Sequence, residues 1–215
     1  GDALPVISLM QEHSKRGKTK PDTDYFWTKF PPGSSLPTRP PPNNINTFNN
    51  LSDIPRFKIT TWNLNGLSER YPGSRRHNMY SDIKKLCTYD SIVFLQETHL
   101  RNKEHLTLKS KLKKWEVLYS HGTSKSSGVI TLLPPSITAK YNIQEISLPT
   151  QLKGRCLATL LSPKSIDDPV HSKSIMLMNL YMYTGNNKQT IQASHLDLLS
   201  KLPSADYNYV GGDFN

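Results

Sequence analysis

With only two cysteines in 215 residues, the chain has little to cross-link or chelate with. Cys87 and Cys156 show no metal-site spacing and are too few for a disulfide framework, so reduced thiols in an intracellular protein are expected. No apolar run approaches the ~18 residues that a membrane-spanning helix needs. The opening Gly1-Asp2-Ala3-Leu4-Pro5 is not a secretory signal, and without an initiator Met it reads as the start of an excised fragment. No internal repeat is visible. Apolar residues are themselves sparse, at 35% with a mean hydropathy of −0.55. That is polar for a globular chain and points to a part that does not fold.

That part is easy to locate. Nine of the sixteen prolines fall in residues 1–55, in runs such as Pro31-Pro32-Gly33-Ser34-Ser35 and Pro40-Pro41-Pro42-Asn43-Asn44, which carry neither a helix nor a central strand. Residues 1–55 are therefore expected to be a disordered Pro-rich tail, and residues 56–215 one domain. The net charge of +10 is also uneven: the tail holds six basic against five acidic residues, while 56–215 hold twenty-one against twelve. A basic folded part suits a polyanion such as DNA or RNA, or an anionic membrane surface, although many basic domains bind neither.

From Phe57 onward short apolar runs alternate with turns. Strand-like runs cover 57–64, 91–95, 117–119, 128–133, 156–161, 175–182 and 207–210. Met79, Ile83, Leu86 and Cys87 recur at helical spacing, as do Ile191, His195, Leu198, Leu199 and Leu202. Strands punctuated by helices indicate an α/β or α+β sandwich. A basic stretch, Lys109, Lys111, Lys113 and Lys114, ends on Trp115 and fits either a solvated helix face or a phosphate-contacting patch.

Three segments set polar groups at the ends of apolar strands. In Ile59-Thr60-Thr61-Trp62-Asn63-Leu64-Asn65-Gly66 the two amides alternate with apolar residues, so a strand would put Asn63 and Asn65 on one face. Alone, this is also an ordinary strand running into a turn. Ile92-Val93-Phe94-Leu95-Gln96-Glu97 ends a buried run on a carboxylate, a hard oxygen ligand suited to Mg²⁺ or an ordinary surface charge. Tyr207-Asn208-Tyr209-Val210-Gly211-Gly212-Asp213-Phe214-Asn215 has glycines that let backbone approach a ligand or turn sharply, with Asp213 and Asn215 on one face of an extended segment. A plain Asx-type turn fits that segment too.

Taken together, Trp62-Asn63-Leu64-Asn65-Gly66, Leu95-Gln96-Glu97-Thr98, Gly154-Arg155, Asn179-Leu180-Tyr181 and Gly212-Asp213-Phe214-Asn215 resemble, in order and spacing, the exonuclease/endonuclease/phosphatase superfamily with its deoxyribonuclease I-like fold. Within it, Gln96-Glu97-Thr98-His99-Leu100, the segment from Trp115 through His121-Gly122 to Ser127-Gly128-Val129, and the Gly-Asp-Phe-Asn ending are most similar to the endonucleases of LINE retrotransposons. The resemblance implies a four-layer α/β/β/α sandwich, incomplete at its C-terminal end. It also implies an Mg²⁺ (or Mn²⁺) cofactor held by Glu97 with Asn65, which stands where many relatives carry an Asp ligand. Asn63 would hold the metal and phosphate surroundings, Tyr181 would donate to a phosphate oxygen, Asp213 would orient or deprotonate the attacking water, and Asn215 would help fix it. Arg155 would sit behind the site or contact phosphate, with Lys109, Lys111, Lys113 and Lys114 as further nucleic-acid contacts. Relatives often have a Pro-Asn step after the tyrosine; Thr184 and Asn186 are the candidates to replace that amide here.

The function so implied is nicking of DNA to leave a 3′-hydroxyl, as in target-primed retrotransposition. The partners would be DNA and, in a parent protein, a following reverse transcriptase domain and element RNA. No membrane partner is expected, and the chain should be a monomer, located in the nucleus if it acts on genomic DNA. Relatives continue past Gly-Asp-Phe-Asn to a terminal Ser-Asp-His motif, so the chain ending at Asn215 is expected to be nearly inactive. Two other readings are an abasic-site repair nuclease or phosphatase of the same fold, and a non-catalytic remnant that only binds nucleic acid. The Pro-rich tail yields a direct test. Limited proteolysis should clip within residues 15–39 and leave the rest intact, because few apolar groups there offset an ordering cost of about 1–2 kcal/mol per residue; protection of that stretch would contradict the boundary.

Overall fold

The computed structural model describes residues 6–8, 57–67, 73–100, 102–122, 127–167, 172–183 and 185–214. The Pro-rich segment apart from residues 6–8 lies outside the described residues, as do Thr184 and Asn215. One sheet holds β2 (Lys58–Asn63), β3 (Ser91–Gln96), β5 (Val129–Leu133) and β4 (Glu116–Ser120) in that order. The other holds β1 (Val6–Ser8), β9 (Tyr207–Asp213), β8 (Ile175–Tyr181), β7 (Cys156–Pro163) and β6 (Tyr141–Glu145). β2 runs parallel to β3 and β8 parallel to β9, arrangements that no tight turn can connect. The helices α1 (Gly73–Leu86) and α4 (Lys188–Ser200) lie in those two connections. Two short helices, α2 (His105–Lys111) and α3 (Pro135–Lys140), sit between strands of the first half.

Successive side chains on a strand point to opposite faces, and this sorts the core into layers. Ile92 and Phe94 of β3, with Val129 and Leu133 of β5, meet Leu157 and Leu161 of β7 and Ile175 and Leu177 of β8 in one buried cluster between the sheets. The alternate residues Val93, Leu95, Ile130 and Leu132 pack outward, with Met79 and Ile83 of α1 and Leu108 of α2. On the outer face of the second sheet Leu180 packs with Leu198 and Leu199, and Met176 with Leu202. The layers are thus helix, sheet, sheet, helix, as the sandwich reading expects. β3 is covered on both faces and is buried along its whole length, which is why it reads as an unbroken apolar run.

The structure departs from the sequence reading at four places, the first being Val6–Ser8, a strand paired in parallel with β9 inside the segment expected to be a disordered tail. β6 has no counterpart among the strand-like runs; its buried Tyr141 and half-buried Ile143 alternate with exposed Asn142 and Gln144, so a five-residue edge strand carries only two apolar signals. α3 is six residues long and opens on Pro135, whose fixed φ suits a first helical turn. β9 does not stop at Val210 but continues through both glycines to Asp213. Gly211 lies against the Phe94 ring, where a Cβ would come within 3.1 Å. Gly212 has φ +146°, and a Cβ there would collide with the Leu180 carbonyl oxygen. The glycines therefore serve close packing of β9 on its neighbours rather than a turn.

Both cysteines are free, and burial pushes each thiol up to about 12. Two substitutions test the packing in urea melts. Phe94→Ala should cost roughly 3–5 kcal/mol, because it opens a cavity between the sheets. Gly212→Ala should cost at least about 1–3 kcal/mol, from a conformation L-residues avoid and a clash with backbone that cannot swing aside. A change below about 0.5 kcal/mol in either, the scale of an ordinary surface substitution, would refute the packing described.

Candidate active site

The strand faces that build the inter-sheet core turn polar at one end. Ile59 is followed by Thr61 and Asn63 on β2, Phe94 by Gln96 on β3, Leu177 by Asn179 and Tyr181 on β8, and Tyr209 by Gly211 and Asp213 on β9. Asn63 is in register with Gln96, and Tyr181 with Asp213, so the polar ends of each sheet lie level. Gln96 and Asn179 are both fully buried, and Gln96 Nε2 donates to Asn179 Oδ1 at 2.8 Å across the gap between the sheets. Asn179 Nδ2 in turn donates to the Ile130 carbonyl at 2.8 Å, and Thr61 Oγ1 donates to Gln96 Oε1 at 3.1 Å. Buried amides need such partners, and here each finds them on the facing or neighbouring strand.

Above this pair sit two carboxylates. Asn63 Nδ2 donates to Glu97 Oε1 at 2.8 Å and to Asp213 Oδ2 at 2.6 Å, one amide serving acids from different sheets. The Asn65 backbone N–H donates to Asn63 Oδ1 at 3.0 Å, which turns the amide so that its NH₂ faces the acids. Tyr181, 7% exposed, hydrogen-bonds the same Glu97 carboxylate. His99 Nε2 stands 3.6 Å from Glu97 Oε2. The Glu97 carboxyl is held down at about 2, first by His99, then by the bonds from Asn63 and Tyr181, against burial that pushes it up. At 3.6 Å the histidine contact is long, so the short Asn63 bond is the better-formed of these restraints. Glu97 is therefore fully charged at neutral pH.

Backbone geometry holds this cluster in place. Glu97, His99 and Asn65 all have left-handed φ, of +49°, +52° and +49°, uncommon for residues with a Cβ. Neighbouring loops clamp them. Gly66 N donates to Glu97 O and Leu67 N to Thr98 O, both at 2.7 Å, while Thr98 N donates to Gly128 O at 3.1 Å and His99 N to Ser127 O at 3.0 Å. Such conformations persist only where surroundings over-determine them, and they concentrate at functional sites.

The structure brings Asn63, Glu97, Tyr181 and Asp213 together. β2 ends at Asn63, so Asn65 does not share its strand face; Asn65 is exposed and serves Asn63 through its backbone. Arg155 lies 5.0 Å over the Tyr181 ring and 5.0 Å over the Tyr183 ring, and its guanidinium donates to the Met182 carbonyl at 3.3 Å, which puts it behind Tyr181. His195 is buried on α4, with its pKa lowered by burial and by Arg155. Lys109 and Lys111 lie on α2; Lys109 pairs with Glu116 at 3.8 Å and Lys111 stands over the Tyr80 ring, while Lys113 and Lys114 are exposed in the turn that follows. None of these four contacts the Glu97 cluster. Asn186 is exposed ahead of α4. His99 and the Gln96–Asn179 pair carry no role in the sequence reading. A polar Asn179 inside an apolar run is the signal for the pair.

Chemically, the carboxylates of Glu97 and Asp213 are hard oxygen donors of the kind that suits a divalent cation such as Mg²⁺. Among the described residues no group of three or more His, Cys, Asp and Glu is arranged to hold a metal. A hard divalent cation is commonly held by one or two carboxylates and otherwise by water and substrate phosphate oxygens.

No sequence family and no curated protein matches the chain. Among solved structures, a humanized D. rerio TDP2 matches at a TM-score of 0.50 and 18% identity, over 72% of this chain and 65% of that one. D. rerio TDP2 complexed with single strand DNA product matches at 0.49 and 18%, over 72% and 59%. The Xenopus laevis APE2 catalytic domain matches at 0.46 and 20%, over 66% and 52%. The chain spans less than two-thirds of the length of each of these structures. It shares the two-sheet α/β sandwich fold of the D. rerio TDP2 structure.

Proposed function

We propose that this chain belongs to a divalent-metal-dependent phosphodiester hydrolase that nicks DNA and leaves a 3′-hydroxyl. The observation that carries the reading is Asn63, whose one amide joins a charged Glu97 on the first sheet to Asp213 on the second. An ordinary structural role would not set two carboxylates so close around a single donor. Glu97 would hold Mg²⁺ or Mn²⁺, which when bound neutralises charge on the scissile phosphate and on the leaving oxygen. Asp213, aimed by Asn63, would accept the proton of the attacking water. Tyr181 would donate from its hydroxyl to a phosphate oxygen, its ring steadied from behind by Arg155. The basic balance of residues 56–215 supports DNA as the substrate.

Within this class we favour a LINE-type endonuclease whose nick primes a following reverse transcriptase, acting on genomic DNA in the nucleus. The support is the residue pattern Gln96-Glu97-Thr98-His99-Leu100 and the Gly-Asp-Phe-Asn ending. The fold serves a repair nuclease equally well, and the fold likeness to D. rerio TDP2 is compatible with that second reading.

The test is relaxation of supercoiled plasmid by a form of the chain extended to the length of the solved structures. EDTA should abolish nicking, and Mg²⁺ or Mn²⁺ should restore it. Glu97→Gln should lower the rate roughly 10²-fold or more while the melting temperature holds, because it removes a ligand charge and almost no volume. The nicks should prime a DNA polymerase directly. Undiminished nicking by Glu97→Gln would refute the assignment.

A further inference from the structure

A group of rings stands apart from the Glu97 cluster yet on the same rim. Tyr119 lies on β4 beside Leu118, which faces the inter-sheet core, so Tyr119 points to the outer, helix-bearing face. The His105 ring of α2 stacks on it with centroids 3.6 Å apart and planes 25° apart. His121, just past the end of β4, lies 4.5 Å from Tyr119 and 5.1 Å from His105. These three separations set His121 beside Tyr119, leaving uncovered by either imidazole the Tyr119 face opposite His105. A 3.1 Å contact between His121 Nε2 and His105 Nδ1 fixes both imidazoles. His105 is 7% exposed, but Tyr119 keeps 39% of its surface open, unusual for an aromatic so firmly held.

Its position relative to the site follows from the sheet. Tyr119 is in register with Ile130 on β5, and Ile130 with Leu95 on β3, two residues before Glu97. Tyr119 therefore stands two strand spacings from the site strand, about 10 Å away. Backbone links tie the two places together: Gly154 N donates to Ser120 Oγ at 2.8 Å, and Gly128 N to Gly154 O at 2.7 Å, with Arg155 and Thr98 next along. Lys153 beside Gly154 and Lys103 ahead of α2 are exposed, two cations placed where they can meet phosphates.

We propose that Tyr119, backed by His105 and flanked by His121, is a stacking platform for an unpaired base of the bound DNA strand. Resting on the nuclease reading above, it gives that site a preference for DNA with an extruded or mismatched base within about three nucleotides of the phosphate at Glu97, since a B-form strand rises ~3.4 Å per step. A base inside a regular duplex already has both faces covered, whereas an unpaired base offers one to a tyrosine ring. A ring held by two imidazoles loses little freedom when the base arrives.

The experiment uses the 215-residue chain without added metal and a duplex carrying one unpaired 2-aminopurine, beside the same duplex with an abasic sugar at that position. The wild-type chain should quench the 2-aminopurine and bind the base-bearing DNA about 10-fold more tightly than the abasic one. Tyr119→Leu should erase that difference at unchanged melting temperature, and Tyr119→Phe should keep it. Discrimination retained by Tyr119→Leu overturns the proposal. Wild-type binding without quench or discrimination overturns the proposal alone, and it does so even if Tyr119→Leu fails to fold. A wild-type chain that binds neither DNA overturns the nuclease reading as well.

Discussion

Two stacked sheets held only by apolar contacts can slide over one another, because burial has no direction. The hydrogen bond from Gln96 to Asn179 supplies the missing direction. Both amides are fully buried, so any displacement that separates them leaves donors and acceptors unmade at a cost of about 1–3 kcal/mol each. The bond lies one residue from Glu97 and two from Tyr181, and it therefore sets the distance between the two halves of the site. Phe94 against Gly211 does the same by shape just below it.

The carboxylates above this joint are kept close by means that differ in kind. Asn63 holds both through one amide, and the Asn65 backbone decides which way that amide faces. Glu97 reaches the gap through a left-handed backbone turn clamped by the loop after β2 on one side and by Gly128 on the other. Its low pKa is a consequence of donors converging on the charged form, with His99 first among them.

Arg155 connects this arrangement to the rest of the rim. Its guanidinium lies against the rings of Tyr181 and Tyr183 and donates to the strand end beyond them, so it stiffens the segment that delivers the tyrosine hydroxyl. Gly154, beside it, accepts and donates across to Gly128 and Ser120, which joins the end of β4 to the same frame. A displacement at either strand end would thus be felt at both the acids and the ring stack.

The sequence by itself determined the period of each strand, hence the layers. Ile92, Phe94 and Gln96 had to share a face once β3 was a strand, and Met79 with Ile83 had to share a helix side. It also singled out Asn63, Glu97, Tyr181 and Asp213, each at the end of an apolar run, and these are the residues that the structure brings together. Tertiary structure decided what those residues meet. The Asn63 contact with Asp213 spans 150 positions and the Gln96 contact with Asn179 spans 83, and no local pattern encodes such a pairing. Asn65 shows the limit from the other side: alternation places it beside Asn63, but the strand ends first, because its backbone N–H finds a partner in the Asn63 side chain. His99 looks like an ordinary loop residue in the sequence, and only the left-handed turns at Glu97 and His99 bring its ring to the carboxylate. The glycines of β9 look like a turn and prove to be strand, since the need for a bare backbone comes from Phe94 and Leu180, residues far away in the chain.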